Sequence, residues 1–552
     1  MHFTKNTIAS IALLIVCNTV LAQLSGGLES NIVWYTNDAK IKLDPIEAKN
    51  KVRSNNYLGL DYAAKKFTFG LQAEAYQSKA ILNYAPTFKG ANLATYYANY
   101  KNDSIGIDVT VGHFYEQFGS GLVLRSWEDR PLGIANSIVG AKVKYHPTNN
   151  IELTALYGKQ RNGLGFQVAD GSIFGVNAEA NITQLLKAKK AQYTVGGSFV
   201  NRNNPSIINA VKANTYLTSA RASMQLGAFQ ADVEYAFKSA DALVEFGNIK
   251  PQFQFDGDAY LLNASYSKKG FGISGNFRRL ENFGIYSQRN YMGNIYNQGI
   301  VNYTPSLTKQ YDYSLTNIYV YAAQPNIGFE PDRNKAGEIG GQVEAVYQLK
   351  PKSKLGGKLG TTLTLNFAQY HGLQGTYIAA ERKYKANLAA FGVKYYSELG
   401  AEVRKKWTPK LTTILTYLNQ YYNAKYVAET VGTVTANTVV VENIIKLKKG
   451  NSIRQELQHQ WANGENRNWA AALLEYNYGS RYTFYITNLY NYGNTNTNQK
   501  LHFYNAGIAY KLNALRLQAN YGRQRGGLVC LGGVCRFVPQ SAGVSLSINY
   551  SF

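Results

Sequence analysis

Hydrophobic and polar residues alternate along this chain in short runs. In Ser541 to Phe552, Val544, Leu546, Ile548, Tyr550 and Phe552 fall on one face of an extended strand, and Ser545, Ser547, Asn549 and Ser551 on the other. One apolar and one polar face suit a strand with lipid on one side and a wet interior on the other. The same reading puts Val139, Ala141, Val143 and Tyr145 toward lipid, and Lys142, Lys144 and His146 toward a lumen. It turns Leu515, Leu517, Ala519 and Tyr521 outward, and Arg516, Gln518 and Asn520 inward. In Lys394 to Arg404 it places Tyr395, Leu399, Ala401 and Val403 outside, with Lys394, Glu398, Glu402 and Arg404 inside.

Between such runs, tight turns alternate with longer polar loops, the habit of a barrel with short connections on one side of a membrane and long ones on the other. Tight turns are expected at Lys511 to Asn513, Gly479-Ser480, Trp407 to Lys410, Lys268 to Gly270, Pro147 to Asn150 and Lys101 to Asp103. Long loops are expected at Asn37 to Lys51, Phe114 to Asn136, Asn201 to Asn214, Ser239 to Asp256, Gly284 to Gly337 and Ala424 to Asn437. Counted this way the chain holds roughly 24 strands, within a working range of roughly 22 to 26. The fold class is all-β: a single large antiparallel transmembrane β-barrel.

No stretch beyond the amino terminus reaches the roughly 18 consecutive apolar residues of a membrane helix. A closed barrel remains, because backbone polar groups in lipid must find internal partners. Tyr 44, Gly 50 and 13% aromatics against Pro 12 agree with strands. Residues 1–22, with Lys5, the apolar Ile8 to Val16 and Val20-Leu21-Ala22, read as a cleaved signal peptide, and 23–552 as the barrel domain. About 530 residues over roughly 24 strands leave about 22 for each strand with its connection, so no separate plug domain is expected. A barrel of that size has a wide lumen, which either conducts or is closed by its own loops.

Two loops stand out. Tyr115 to Gly133 gathers Glu116, Arg125, Glu128, Asp129 and Arg130 around Trp127, with Gly119 and Gly121 permitting a sharp bend. It reads as a loop that folds inward onto lumen charges, against the alternative of a solvated outer loop whose salt bridges count for little. Gly284 to Gly337 interleaves Tyr286, Tyr291, Tyr296, Tyr303, Tyr311, Tyr313, Tyr319 and Tyr321 with asparagines. It reads as a self-packed cap over the barrel mouth or, alternatively, a glycan- or peptide-binding surface. Lumen or constriction candidates are therefore Glu116, Arg125, Trp127, Glu128, Asp129, Arg130, Lys142, Lys144, Arg404 and Arg516.

Cys530 and Cys535 flank Gly532-Gly533 in a hairpin-like segment, and a disulfide is the natural expectation in an oxidising compartment. Two thiols without nearby His or Asp fall short of a zinc shell, so neither metal nor cofactor is expected. His113, His146, His371, His459 and His502 are scattered, and only Ser120, between two glycines, has a suggestive flank; the expectation is that this is not an enzyme. The charge of +24 would point to nucleic acid in a cytosolic protein, but on an exported barrel it suits lipopolysaccharide or an anion-biased lumen.

The segments 115–133 and 525–539 resemble motifs of a family of uncharacterised Gram-negative outer-membrane barrel proteins of about this length. The resemblance implies fold and location, but no activity. The aromatic ending with Tyr550 and Phe552 likewise resembles outer-membrane barrels, where it is the signal read by the assembly machinery. Two functions follow as expectations. One is a porin-like channel for polar solutes, with the charged loop folded into its lumen. The other is a closed barrel serving as scaffold or accessory in envelope assembly, protein export or surface binding, with an envelope protein as partner.

Overall fold

The computed structural model describes residues 24–552 other than 42–48, 84–86, 207, 209, 246–247, 291–298, 305–306, 331–332, 382, 431, 465 and 532–533; the expected signal peptide lies outside the described residues. The alternating runs form 24 antiparallel strands in one sheet. They are β1 (Leu24–Tyr35), β2 (Val52–Ala64), β3 (Phe67–Gln77), β4 (Gly90–Asn102), β5 (Ile107–Phe114), β6 (Ile138–Thr148), β7 (Ile151–Arg161) and β8 (Val168–Asn181). Then come β9 (Ala191–Asn203), β10 (Asn214–Leu226), β11 (Phe229–Glu245), β12 (Asn248–Lys268), β13 (Phe271–Glu281), β14 (Gly337–Leu349), β15 (Thr361–Ile378) and β16 (Lys383–Lys406). The last eight are β17 (Leu411–Asn423), β18 (Thr433–Lys446), β19 (Ser452–Ala462), β20 (Trp469–Tyr478), β21 (Tyr482–Tyr490), β22 (His502–Leu512), β23 (Leu515–Gln524) and β24 (Ser541–Ser551).

Each strand pairs with its sequence neighbours, and β1 also pairs with β24, with Leu28 opposite Tyr550 and Trp34 opposite Val544. Backbone bonds of 3.0 Å in both directions between Gly26 and Phe552 finish the seam. The sheet thus closes on itself, and its backbone groups need no outside partner. Val143, Tyr157, Phe174, Val233, Leu365, Leu474 and Ile486 are exposed on the outer wall, whereas Thr154, Asn177, Gln420 and Gln458 are buried on the inner one. An apolar belt outside a closed ladder is what hydrocarbon requires, so this is a membrane-spanning barrel of the outer-membrane type.

The six tight turns fall at strand ends as expected. Two expectations are corrected. Ser239 to Asp256 is not a loop: β11 and β12 continue through it as a hairpin with register shifts at Lys238/Asp241 and Ala242/Leu243. Ile249, Phe253 and Phe255 carry the strand period, and Pro251, which cannot donate to a ladder, falls in the irregular stretch. Tyr395 does not face lipid and Lys394 does not face the lumen. A β-bulge leaves Tyr395 without a cross-strand partner, between the pairs Tyr370–Tyr396 and His371–Lys394. One extra residue exchanges the faces on the far side of the bulge. Tyr395 is consequently buried, and Lys394 lies over the outer Tyr421 ring at 4.6 Å.

The barrel has a hydrophobic interior of its own. Leu156, Ile173, Val200, Leu217, Ala236, Ala259 and Leu280, one from each of β7 to β13, form an apolar girdle on the inner wall. Phe118, Leu122, Val123 and Leu124 of the 115–137 loop pack on it, with Phe283, Ile285 and Val301 of the 282–336 segment. Leu315, Ile318, Tyr319 and Tyr321 pack on a second patch that includes Tyr370, Tyr396, Tyr422 and Trp469. Each such fully buried side chain contributes about 1.5–3 kcal/mol. Two stretches of the barrel's own chain therefore pack inside the lumen.

Candidate functional site

The first loop folds into the lumen. Its sharp bend rests on Gly119 and Gly121, with φ of 54° and 94°, conformations that a side chain would strain. A Cβ on Gly119 would lie 3.0 Å from the Glu234 carboxylate and from the Arg221 side chain, so the tip sits directly on β10 and β11. The Ser120 amide donates to Glu234 at 3.0 Å. Glu116 meets Lys142 at 3.1 Å and Lys144 at 3.0 Å on β6. Arg130 reaches the opposite flank, bonding Glu29 of β1 at 2.9 Å and Gln72 of β3 at 3.0 Å, beside Glu128 at 3.2 Å. Burial works against the Arg130 charge, but Glu128 and Glu29 outweigh it and hold the guanidinium pKa above its ordinary value.

The second segment packs on the wall formed by β15 to β19. Tyr313 donates to Glu442 of β18 at 2.8 Å, the Leu315 amide to Gln458 of β19 at 3.0 Å, and Gln420 of β17 to the Tyr319 carbonyl at 3.1 Å. Tyr321 stacks between Tyr370 and Tyr396, at 4.7 and 5.3 Å, and donates to Glu338, which also holds the buried Arg278. Burial first, then the Glu338 carboxylate, keeps the Tyr321 hydroxyl protonated well above its ordinary range. These tyrosine faces are spent on the barrel wall instead of on an outside ligand. The segment is self-packed, but inside the lumen as well as over it, because the wall supplies matching rings and carboxylates. Tyr291 and Tyr296 lie outside the described residues.

The two loops lock together. Arg125 lies between Trp127 at 4.2 Å and Tyr303 at 3.7 Å, while the Tyr303 amide donates to the Gly121 carbonyl at 2.8 Å. Asn136 and Gln160 both donate to the Ile300 carbonyl, at 3.1 and 2.9 Å. Of the ten candidates read from the sequence, Glu116, Arg125, Trp127, Glu128, Arg130, Lys142 and Lys144 are joined in this plug. Asp129 shapes it locally, accepting from the Leu132 amide at 2.9 Å. Arg404 and Arg516 are not brought to it. They lie near the tight-turn ends of β16 and β23, beside Glu402 at 3.8 Å and Gln518 at 3.3 Å on their own strands.

Sequence reasoning missed a fully buried internal brace. Arg161 at the end of β7 holds Glu74 of β3 through two bonds of 3.0 and 2.6 Å, with both side chains fully buried. The signal was a charge at an inward position on β3 alone, since Arg161 has the outward parity of Tyr157 and Lys159 and is turned in by a register shift after Lys159. Beneath the first loop, two cavities remain. One of about 320 Å³ is lined by Glu179, Arg221, Asp232, Glu234 and Asn263. Another of about 410 Å³ is lined by Asp61, Gln72, Thr110 and Lys142. Charged side chains line both, beside apolar ones such as Leu261 in the first and Phe114 in the second.

The profile of a family of unknown function (DUF6029) matches residues 3–552. No curated protein matches the chain by sequence. Among solved structures, the siderophore receptor PirA from Pseudomonas aeruginosa is similar with a TM-score of 0.42 and 10% identity, over 96% of this chain and 80% of that one. A BenF-like porin from Pseudomonas fluorescens Pf-5 scores 0.36 at 10% identity, over 96% and 98%. The P pilus usher (PapC) translocation pore scores 0.37 at 9% identity, over 96% and 99%.

Proposed function

This chain belongs to the family of unknown function DUF6029, and we propose that it is an outer-membrane channel for polar solutes, closed at rest by its two inward loops and conducting when they are displaced. One observation carries the reading: loops from two separate places in the chain meet at Arg125, Trp127 and Tyr303, while charged cavities persist beneath them. A wall built only to be sealed has no need of charged, hollow space on its inner side. The reading takes the protein to carry no catalytic activity. His113 supports this, since its ring bonds Ser137 at 3.0 Å and not Ser120. Tyr550 and Phe552, exposed on the outer face of the closing strand, suit a signal for the barrel-assembly machinery, and the apolar belt suits lipid and lipopolysaccharide. Cells carrying the protein without Gln117 to Pro131 are expected to take up large polar antibiotics faster than wild-type cells. Unchanged uptake would count against a gating loop.

The closed-scaffold reading draws on the hydrophobic clusters inside the barrel, which suit permanent closure. It requires a stable partner after gentle detergent extraction, and a clean monomer would weigh against it.

The hairpin 527–538 is expected to carry a disulfide. Its backbone register sets Cys530 directly opposite Cys535, although their side chains lie outside the described residues. Opposed positions of an antiparallel pair come within the Cα spacing a disulfide tolerates. Both thiols should resist maleimide until a reductant is added; labelling without reductant would remove the bridge from the account.

A further inference from the structure

At the outer end of the wall formed by β9 to β12, three cations converge on one carboxylate. Arg202, Lys238 and Arg289 are each at most 3% exposed. Asp241 accepts from Arg202 at 2.5 Å and from Arg289 at 2.7 Å. Arg289 is otherwise consumed by the carbonyls of Asn204 and Lys212, at 2.8 and 2.6 Å, and so pins the 282–336 segment to the neighbouring loop. Arg202 also donates to the Thr215 hydroxyl at 2.6 Å and to the Tyr286 carbonyl at 3.2 Å, which leaves its buried Nε without an acceptor. Among the described residues Lys238 is the least well supplied, with one acceptor, the Gly284 carbonyl at 3.2 Å. The nearby acids do not repair the imbalance. Asp258 and Glu281 are both held by Arg279, and Asp256 is exposed and does not line the space.

That space is a cavity of about 230 Å³, bordered by Arg202, Lys238, Asp241 and Arg289 together with Tyr286 and Asn326. Its charged lining sums to two positive charges, from three cations and one carboxylate. Burying that excess is costly unless an anion shares the site. The unpaired Arg202 Nε–H and an ammonium with N–H groups to spare suit the several oxygens of a tetrahedral anion. The volume holds such an anion with a few waters, each of which takes about 30 Å³.

We infer that this cavity is a binding site for a small doubly charged oxyanion of the phosphate class, free or as a phosphomonoester. The site is separate from the Arg125 junction and would stand whether the barrel conducts or serves as a scaffold.

The test uses the full-length barrel purified in detergent, titrated calorimetrically with inorganic phosphate and with glycerol 3-phosphate against chloride at matched ionic strength. Saturable binding of either phosphate, with none for chloride, is expected; tighter binding of the ester would identify an organic solute, and equal binding the free anion. Lys238→Met is expected to weaken binding roughly tenfold or more, the scale of one lost hydrogen bond to a charged group. Asp241→Asn should tighten it, because the competing carboxylate is gone. Heat-modifiable migration on gels certifies that each variant is folded, and if Asp241→Asn fails that check, Lys238→Met decides alone. Phosphate behaving like chloride, or unchanged affinity in folded Lys238→Met, would overturn the assignment.

Discussion

In a planar bilayer, the intact refolded protein is expected to be electrically silent, and a form lacking both 117–131 and 300–326 to open a wide, steady pore. The two deletions remove the tip that sits on Glu234 and the stretch that bonds Glu442, Gln458 and Gln420. Both are needed, because the second segment shares the cluster around Val123 with the first loop and also fills a distinct one around Tyr321 that the first loop does not reach. A barrel of this strand number has an interior too wide for wall side chains to fill, so conductance should rise by roughly tenfold or more over any residual leak of the intact form. Deleting only 117–131 should give partial, flickering openings. Large steady openings from the intact protein would refute closure at rest. Silence from a folded double deletion would refute the channel and leave the scaffold.

Breaking the brace between β3 and β7 should cost more stability than any single substitution at the loop tip. Arg161→Met leaves Glu74 fully buried with its countercharge gone, keeping only the neutral donors Gln72 and Tyr76, both at 2.8 Å. Removing one partner of a buried ion pair typically costs about 3–5 kcal/mol. Replacing both, as in Arg161→Met with Glu74→Leu, should recover much of that loss, because no charge then lacks a partner. The readout is the temperature at which the compact, heat-modifiable band converts to the unfolded one. Single and double variants converting at the wild-type temperature would show that the brace does not hold the fold.

The pair also shows where sequence reasoning stops. Glu74 occupies an inward position on a clearly alternating strand, so its direction was legible. Arg161, by contrast, shares the parity of the outward Leu153 and Tyr157 and is turned inward only where the ladder shifts register after Lys159. Their pairing was not legible, because three strands separate β3 from β7 in the sheet and only the curvature of the closed wall brings them together. The plug follows the same rule. The density of charge around Trp127 and the two glycines marked 115–133 as an inward loop, and Glu116 does meet Lys142 and Lys144. Arg404 and Arg516 shared the inward face but not the depth, and alternation carries no information about depth. The tyrosines of 284–337 were visible as a group, yet whether they face a ligand or the wall depended on Tyr370, Tyr396 and Glu442, far along the chain.

Local periodicity and punctuation were enough to determine a closed antiparallel barrel, its strand number and the two faces of most strands, because a two-residue period and an unbroken ladder in lipid leave few alternatives. The exceptions arose where one extra residue shifted a face, as at Tyr395, or where a proline disguised a strand, as at Pro251. Only the tertiary structure decided that both long loops pack into the lumen, which charges pair across it, and where a cavity keeps two surplus positive charges. Those outcomes depend on distances between strands remote in sequence, and closure of the sheet fixes these distances all at once.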